Sequence, residues 1–400
     1  MKAQNSDHTM KKILSLALMV IVLQVSAQEL ITETDFELYG DHIFVSVSVD
    51  DSEPVDFIFD TGDGLAVIDL DVAKKLGLKT DHQETKTSAQ GSISGALIEH
   101  NKIEINDVKL NEIELYTTDL SHLEQTIGRN IDGIIGYDLL KSYVVQIDYE
   151  SMKMKLYAQG SFKTDGYVES FPFKLINYIP TITAKVTLNN GESYSEDFFL
   201  NTGAGTTLDF NTPFAKKHDV IAKTGNHYSY PVAGLEDNET MHYEGRIKNL
   251  SIGSFSIDEL PIGISQAEHG IQHNKKAAGI IGNGVLKHFN MTLDYSKSVV
   301  YLESNKNFDK PYLVNASGVN LQYNKERSKL LIHRVFEGSP AAEAGIKVND
   351  ELLSIDGKAV NTLSLPEIRK ALKQAKGSVT IKYLQAGVEK EAKLELAPLI

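Results

Sequence analysis

Two copies of one strand-and-turn frame, about 140 residues apart, restrict this 400-residue chain more than any other feature. The first reads Phe57-Ile58-Phe59-Asp60-Thr61-Gly62 and the second Phe198-Phe199-Leu200-Asn201-Thr202-Gly203. In each, an apolar strand delivers one short polar side chain into a tight reversal. Threonine suits such a turn because its hydroxyl can anchor it, and glycine because it lets the chain double back at close quarters. The copies differ at the polar residue, which is a carboxylic acid in one and an amide in the other.

The repetition extends well beyond the turns. Asp56 to Leu78 aligns on Asp197 to Val220 with one residue of slippage, and Ala73-Lys74-Lys75 falls on Ala215-Lys216-Lys217. Upstream, the alternation of Ile43, Val45, Val47 and Val49 matches Ile182, Ala184, Val186 and Leu188. Period-two alternation of this kind is a half-buried strand. Ile103 to Val108 corresponds to Ile247 to Ile252. A further shared block, Gly133-Ile134-Ile135-Gly136 and Gly279-Ile280-Ile281-Gly282, leads each time into a short helical stretch. A strand ending in Asp148-Tyr149 or Asp294-Tyr295 follows. The spacing predicts two β lobes, 28–160 and 161–306.

The remainder, 314–400, has a different texture. Asp356-Gly357 between apolar runs is a hairpin signal. Ser364 and Glu367 make a capping box for a helix running to about Ala375, with Pro366 tolerated in its first turn. The polar stretch 303–313 reads as a linker. At the other end, Lys11-Lys12, an apolar run from Ile13 to Leu23 and Val25-Ser26-Ala27 have the order of an export signal, 1–27. The chain has no cysteine, so thiol chemistry is excluded and stability must rest on burial. Loss of 1–27 removes three lysines and one aspartate and moves the formal charge from −14 to −16. An acidic chain without a basic run argues against nucleic acid or an anionic membrane as partner.

The two lobes resemble retropepsin-like aspartic peptidases of the pepsin and retropepsin clan, here with both lobes in one chain, and the tail resembles a PDZ domain. The resemblance implies a mainly β fold: two homologous β-barrel lobes forming a bilobal cleft, followed by an α+β PDZ domain. It also implies an endopeptidase that needs no cofactor and no metal. In such enzymes two facing carboxyls share a proton around one water, which splits their pKa values. Asp60 matches the first catalytic position, with Thr61 and Gly62 supporting it. Asn201, flanked by Thr202 and Gly203, is a degenerate partner that cannot ionise or pass a proton. Asp63 stands where the family has Ala or Ser, as at Ala204, and is a candidate compensating carboxylate beside Asp60. The family also often pairs an Arg after Ile-Ile-Gly with an acid just beyond Asp-Thr-Gly. Tyr137 and Gly64 occupy those places, so that brace is missing.

Gln90, Gly91, Ser92 and Ile93 in lobe one, and Val232, Ala233 and Gly234 in lobe two, are the candidate tips of hairpin flaps closing over a peptide. In the tail, Gly318, Val319, Asn320 and Leu321 fit the carboxylate-binding loop of a PDZ groove, with Ile368 and Leu372 facing it. The apolar end Ala397-Pro398-Leu399-Ile400 is a candidate occupant of such a groove. No Gly-x-Ser-x-Gly elbow supports a serine hydrolase, and His269 and His273 lack any companion metal ligands. Two functions remain: an exported, periplasmic or secreted, endopeptidase that docks a peptide or protein substrate through its PDZ domain, or a catalytically inactive pseudo-peptidase that only binds peptides.

Overall fold

The computed structural model describes residues 28–400, apart from 81, 90, 165–167, 233, 236–238 and 375. The leader 1–27, Gln90 and Ala233 therefore lie outside the described residues. Alternating apolar residues make each lobe a curved sheet of eight strands. Lobe one runs, in spatial order, Glu37–Tyr39, His42–Val49, Val55–Phe59, Gly133–Ile135, Val67–Asp69, Val108–Thr118, Ser92–Ile105 and Gln83–Thr87. Lobe two repeats that order with Lys174–Ile176, Ile179–Thr187, Ser193–Asn201, Gly279–Gly282, Leu208–Phe210, Phe255–Ser265, Thr240–Ile252 and Tyr228–Val232. An extra pairing, of His42–Val49 with Ser92–Ile105 and of Ile179–Thr187 with Thr240–Ile252, curls each sheet towards a barrel.

A third sheet joins the lobes. Val144–Asp148 pairs with Phe289–Asp294 through Val145 opposite Leu293 and Ile147 opposite Met291. These strands are the two that end in Asp-Tyr. Their inward faces belong to one apolar cluster shared by both lobes, from Phe57 and Ile135 on one side to Phe198 and Ile281 on the other.

The tail is a separate five-stranded sheet with a sixth short strand at its side, and it has its own core around Ile332, Ile355, Ile368 and Ile381. Its helix, Leu365–Leu372, begins at the expected capping box: Glu367 N–H donates to Ser364 Oγ, and Ser364 N–H donates to the Glu367 carboxylate at 2.7 Å. The stretch after Ser304 is not a free linker. Tyr312 stacks on His288 of lobe two at 4.7 Å between ring centroids, and Val314 and Ala316 are buried. Among the described residues no helix is long and apolar enough to cross a membrane.

Because Ile135 and Ile281 are both fully buried in the shared cluster, Ile135→Ala and Ile281→Ala should each lower the same urea-unfolding transition by about 2–5 kcal/mol. Separate transitions for the two lobes would contradict a common core.

Candidate active site

The two polar turns arise from the same local construction. Val55–Phe59 pairs in parallel with Gly133–Ile135, and Asp60 N–H donates to the Ile135 carbonyl at 2.9 Å. In lobe two, Asn201 lies opposite Gly282 in the equivalent parallel pairing. The Ile-Ile-Gly glycine is required in lobe one because a Cβ on Gly136 would run into the Asp60 carbonyl. Each isoleucine pair thus holds its turn from behind.

The turns are locked to each other by their threonines. Thr61 N–H donates to Thr202 Oγ1 at 3.0 Å, and Thr202 N–H donates to Thr61 Oγ1 at 3.1 Å. Each hydroxyl then donates onward across the lobe boundary, Thr61 to the Leu200 carbonyl at 2.7 Å and Thr202 to the Phe59 carbonyl at 3.0 Å. Both residues are buried, so each of these bonds lies away from competing water.

This lock sets Asp60 and Asn201 face to face. Asp60 Oδ1 accepts from the amides of Gly62 (2.6 Å) and Gly203 (3.3 Å), and its carboxyl lies over Gly203. Asn201 Oδ1 accepts from the amides of Gly203 (2.8 Å) and Ala204 (2.9 Å), and its Nδ2 lies against Gly62. A side chain at either glycine would collide with the opposing polar group. Burial pushes Asp60 up to about 6, with the Gly62 and Gly203 amides opposing the rise. Asp63 is driven further, well above the usual carboxylate range, by burial and then by the Asp60 charge. Among the described residues its buried Oδ2 has no hydrogen-bond partner, and its Oδ1 accepts from the Leu65 amide at 3.4 Å.

Residues 45–139 match the family model described as aspartyl protease, and residues 308–384 match the PDZ domain model. The chain carries an aspartyl-protease domain and a PDZ domain. It is 28% identical over 144 residues to the carboxy-terminal processing protease CtpA of Bacillus subtilis, which covers 35% of this chain and 30% of that protein. A carboxyl-terminal-processing protease of Synechocystis sp. is 42% identical over 76 residues, 18% of each chain. The chain thus spans less than a third of either relative. Among solved structures, the aspartic proteinase from Irpex lacteus aligns with a TM-score of 0.43 at 13% identity, over 70% of this chain and 98% of that one.

Around Asp60 and Asn201, the turn residue Gly64 and Tyr137 take part in aromatic contacts. Gly64 faces the Tyr178 ring, which packs on Tyr137 at 4.9 Å, and Tyr295 completes the group at 6.2 Å from Tyr137. On the opposite side Tyr149 donates to Asn283 Oδ1 at 2.5 Å, and Asn283 donates to the Asp41 carbonyl at 2.9 Å. His42 covers Gly205 and the Gly203 carbonyl, and its burial holds its pKa down. Sequence reasoning missed Tyr149, Tyr295, His42 and Asn283 as parts of the site. The repeated Asp-Tyr strand ends were the one available signal.

Both candidate flap hairpins reach the opposite lobe. At the first tip, Ile271 N–H donates to the Ser88 carbonyl at 3.2 Å and Gln272 N–H to the Ala89 carbonyl at 2.9 Å. Gly91 adjoins this contact at Gly270, whereas Ser92 is exposed and Ile93 buried. At the second, His122 Nε2 donates to the Gly234 carbonyl at 2.9 Å, with Val232 at the end of its strand. Leu235 packs on the lobe-one cluster of Phe44 and Leu120.

In the PDZ domain, Val319, Leu321, Ile368 and Leu372 are buried in its core, and Asn320 is half-buried. Gly318 adopts a positive φ of 84° against Ser339, and its amide donates to Asn315 Oδ1 at 2.9 Å. The chain end does not occupy the groove: Arg246 of lobe two donates to the Ile400 carbonyl at 3.4 Å, because the last residues leave the PDZ sheet towards that lobe. His269 is exposed and His273 Nδ1 bonds the Ala267 carbonyl at 3.1 Å. Among the described residues no group of three or more His, Asp or Glu could hold a metal.

The raised Asp60 has a measurable consequence. An acid whose folded pKa is about 6, against about 3.9 unfolded, binds its proton more tightly in the folded state. It stabilises least once ionised, so stability falls as pH rises from about 4 to 6. Asn201 demonstrates that an amide fits this kind of turn. Asp60→Asn should therefore melt higher than wild type at pH 7 and show a shallower decline across that window. Equal melting temperatures at pH 7 would contradict the raised carboxyl.

Proposed function

We propose that the chain is an exported aspartic-type endopeptidase working with one carboxylate from lobe one and one amide from lobe two. The observation that carries this reading is the orientation of Asn201. Its oxygen is committed to two backbone amides, so its N–H₂ is the end left free beside Asp60. A peptide carbonyl entering between them meets a base on one side and a fixed hydrogen-bond donor on the other.

Ionised Asp60 takes a proton from water as the water oxygen bonds to the carbonyl carbon. The Asn201 Nδ2–H group donates to the oxyanion that forms. The C–N bond then breaks as Asp60 returns the proton to the leaving amine. Asp63, held protonated, supplies the acidic neighbour that position 201 has lost. Hairpins bonded across the cleft suit an extended peptide shielded from water. The lysine, apolar and small-residue order of 1–27 supports export. Both relatives are carboxyl-terminal processing proteases, which supports chain ends as the peptides that the PDZ domain receives.

A second reading, a cleft that binds without cutting, is favoured by Asn201 alone, because an amide carries no transferable proton. Digestion of an unfolded protein from pH 3 to 8 by the protein lacking residues 1–27 separates the two. Wild type should cut slowly, with a rate that rises through about pH 6 as Asp60 ionises. Asp60→Ala should be silent, and Asp63→Ala slower than wild type. Asn201→Asp should gain roughly 10²–10⁴ in rate and shift its optimum to lower pH, as a proton-sharing pair forms. A silent wild type beside an active Asn201→Asp establishes the binding reading. Full activity in Asp63→Ala removes that residue from the mechanism.

A further inference from the structure

The cleft-facing rows of the two lobes match position by position and differ in charge. In lobe one, Ile58, Ile134, Val67, Tyr116 and Leu97 stand opposite one another across five strands. In lobe two the same row reads Phe199, Ile280, Asp209, Gly263 and Glu244. Residues paired across strands share a face, and their neighbours in sequence take the other. Those neighbours, Phe198, Ile281, Phe210, Ile264 and Ile262, lie in the common core, so the row itself faces the cleft on the side of Asn201. Two carboxylates thus stand where lobe one has Val67 and Leu97. Gly263 leaves the middle of the row without a side chain, where lobe one has the ring of Tyr116. A Cβ on Gly263 would lie 2.0 Å from Asp209 Oδ1, so the glycine lets that carboxylate lean over the sheet towards Glu244.

The groups around this row lack a donor. Asp209 is buried, and its Oδ1 accepts from Thr206 Oγ1 at 2.7 Å, while its Oδ2 faces His242 Nδ1 at 4.0 Å. His242 is fully buried, and its Nε2 bonds Gln272 Oε1 at 3.2 Å. That oxygen can only accept, so Nε2 carries the ring hydrogen and Nδ1 is a lone pair, without a partner among the described residues. Burial keeps the ring neutral by holding its pKa down, against the pull of Asp209. Two acceptors therefore face each other with no hydrogen to share. Glu244 is half-buried, and burial raises its pKa, with Asp209 adding to the rise. The Tyr228 hydroxyl and the charges of Lys373 and Arg246 oppose it, but among the described residues neither cation comes within ion-pair distance of Glu244 or Asp209. Arg246 Nη1 donates instead to the Glu259 carbonyl at 2.6 Å. The Tyr230 ring stands between, 6.0 Å from that of Tyr228 and 6.1 Å from that of His242.

We propose that this row receives a basic side chain, lysine or arginine, of a peptide lying in the cleft, with Asp209 and Glu244 as its counter-charges and the Tyr228 and Tyr230 rings along its stem. An ammonium brings three N–H donors and a guanidinium five, and neither brings an acceptor. Charged donors on carboxylates make the stronger class of hydrogen bond, and a cation between two like charges relieves their repulsion. Tyrosine faces attract the cation and cover its methylenes. The apolar row of lobe one offers none of this, so the two walls of the cleft select different side chains. The inference rests on the reading that a peptide occupies the cleft, and it holds whether or not that peptide is cut.

The test uses the protein lacking residues 1–27 in the Asp60→Asn background, so that no peptide is consumed and failure of the cutting step leaves the outcome unaffected. Three pools of fluorescein-labelled octapeptides, random apart from one central lysine, arginine or uncharged norleucine, are titrated by anisotropy at about 0.15 M salt, where the net charge of the chain is screened. Amidated ends keep chain-end recognition out of the measurement. The lysine or arginine pool should bind roughly tenfold tighter than the norleucine pool, the scale of one charge-assisted bond. Glu244→Gln and Asp209→Asn, made separately, should each lose most of that preference, and the asparagine can still accept from Thr206. A poorly folded variant weakens all pools alike, so the ratio is the readout and the other variant then decides. Equal binding of the three pools overturns the proposal and leaves the peptide cleft standing. Binding of no pool overturns both. A preference undiminished in the two variants overturns the assignment to this row.

Discussion

The reciprocal bond between Thr61 and Thr202 is the contact on which the rest of the site depends. Each hydroxyl accepts an amide from the other turn and donates to a carbonyl of the other lobe. Removing either one leaves buried backbone groups without partners, at about 1–3 kcal/mol for each. The pair also fixes geometry. Neither lobe can turn about the other without dragging both polar ends, so the separation of Asp60 and Asn201 belongs to the backbone rather than to the two side chains. The joining sheet and common apolar cluster beneath them resist the same motion.

On this nearly symmetric frame the chemistry is one-sided. The frame asks position 60 and position 201 for the same thing, an oxygen that accepts backbone amides, and Asp and Asn both supply it. That is why an amide at 201 and an acid at 60 fit the same turn. The difference appears only in what the free end of each side chain offers to the cleft. The supports are also unequal. Tyr149 finds Asn283, whereas among the described residues the buried Tyr295 hydroxyl beside Tyr137 has no hydrogen-bond partner, and lobe one carries Asp63 where lobe two has Ala204.

The parts of this architecture legible in the sequence are those that a short stretch of backbone imposes on its own residues. The strand-turn-glycine frames, the Ile-Ile-Gly strands and the Ser364–Glu367 cap need particular residue types within a few positions, so they repeat or stand out. What could not be read joins distant segments. Thr61 looks like a local turn anchor until Thr202 is beside it. Tyr149 and Tyr295 look like strand ends until each is followed into the opposite lobe. In the PDZ domain, alternation marks Leu321 and Ile368 as apolar but cannot distinguish a groove from a core. Arg369 reads as one more charge on a helix face, because nothing near it in sequence reveals the Thr126 carbonyl to which its Nη2 donates. The destination of the last residue is hidden for the same reason: its partner, Arg246, lies 154 residues away.

The two hairpins that cross the cleft are secured by different kinds of bond. The first is held by main-chain amides of Ile271 and Gln272 on main-chain carbonyls of Ser88 and Ala89, the second by the imidazole of His122. Amino-acid replacement at the first tip leaves these main-chain bonds available, so that loop is free to diversify in sequence. The polar part of the second fastening rests on a single codon, that of His122, beside the packing of Leu235. Lineages can therefore vary one tip gradually, while the hydrogen bond at the other is kept or lost in one step.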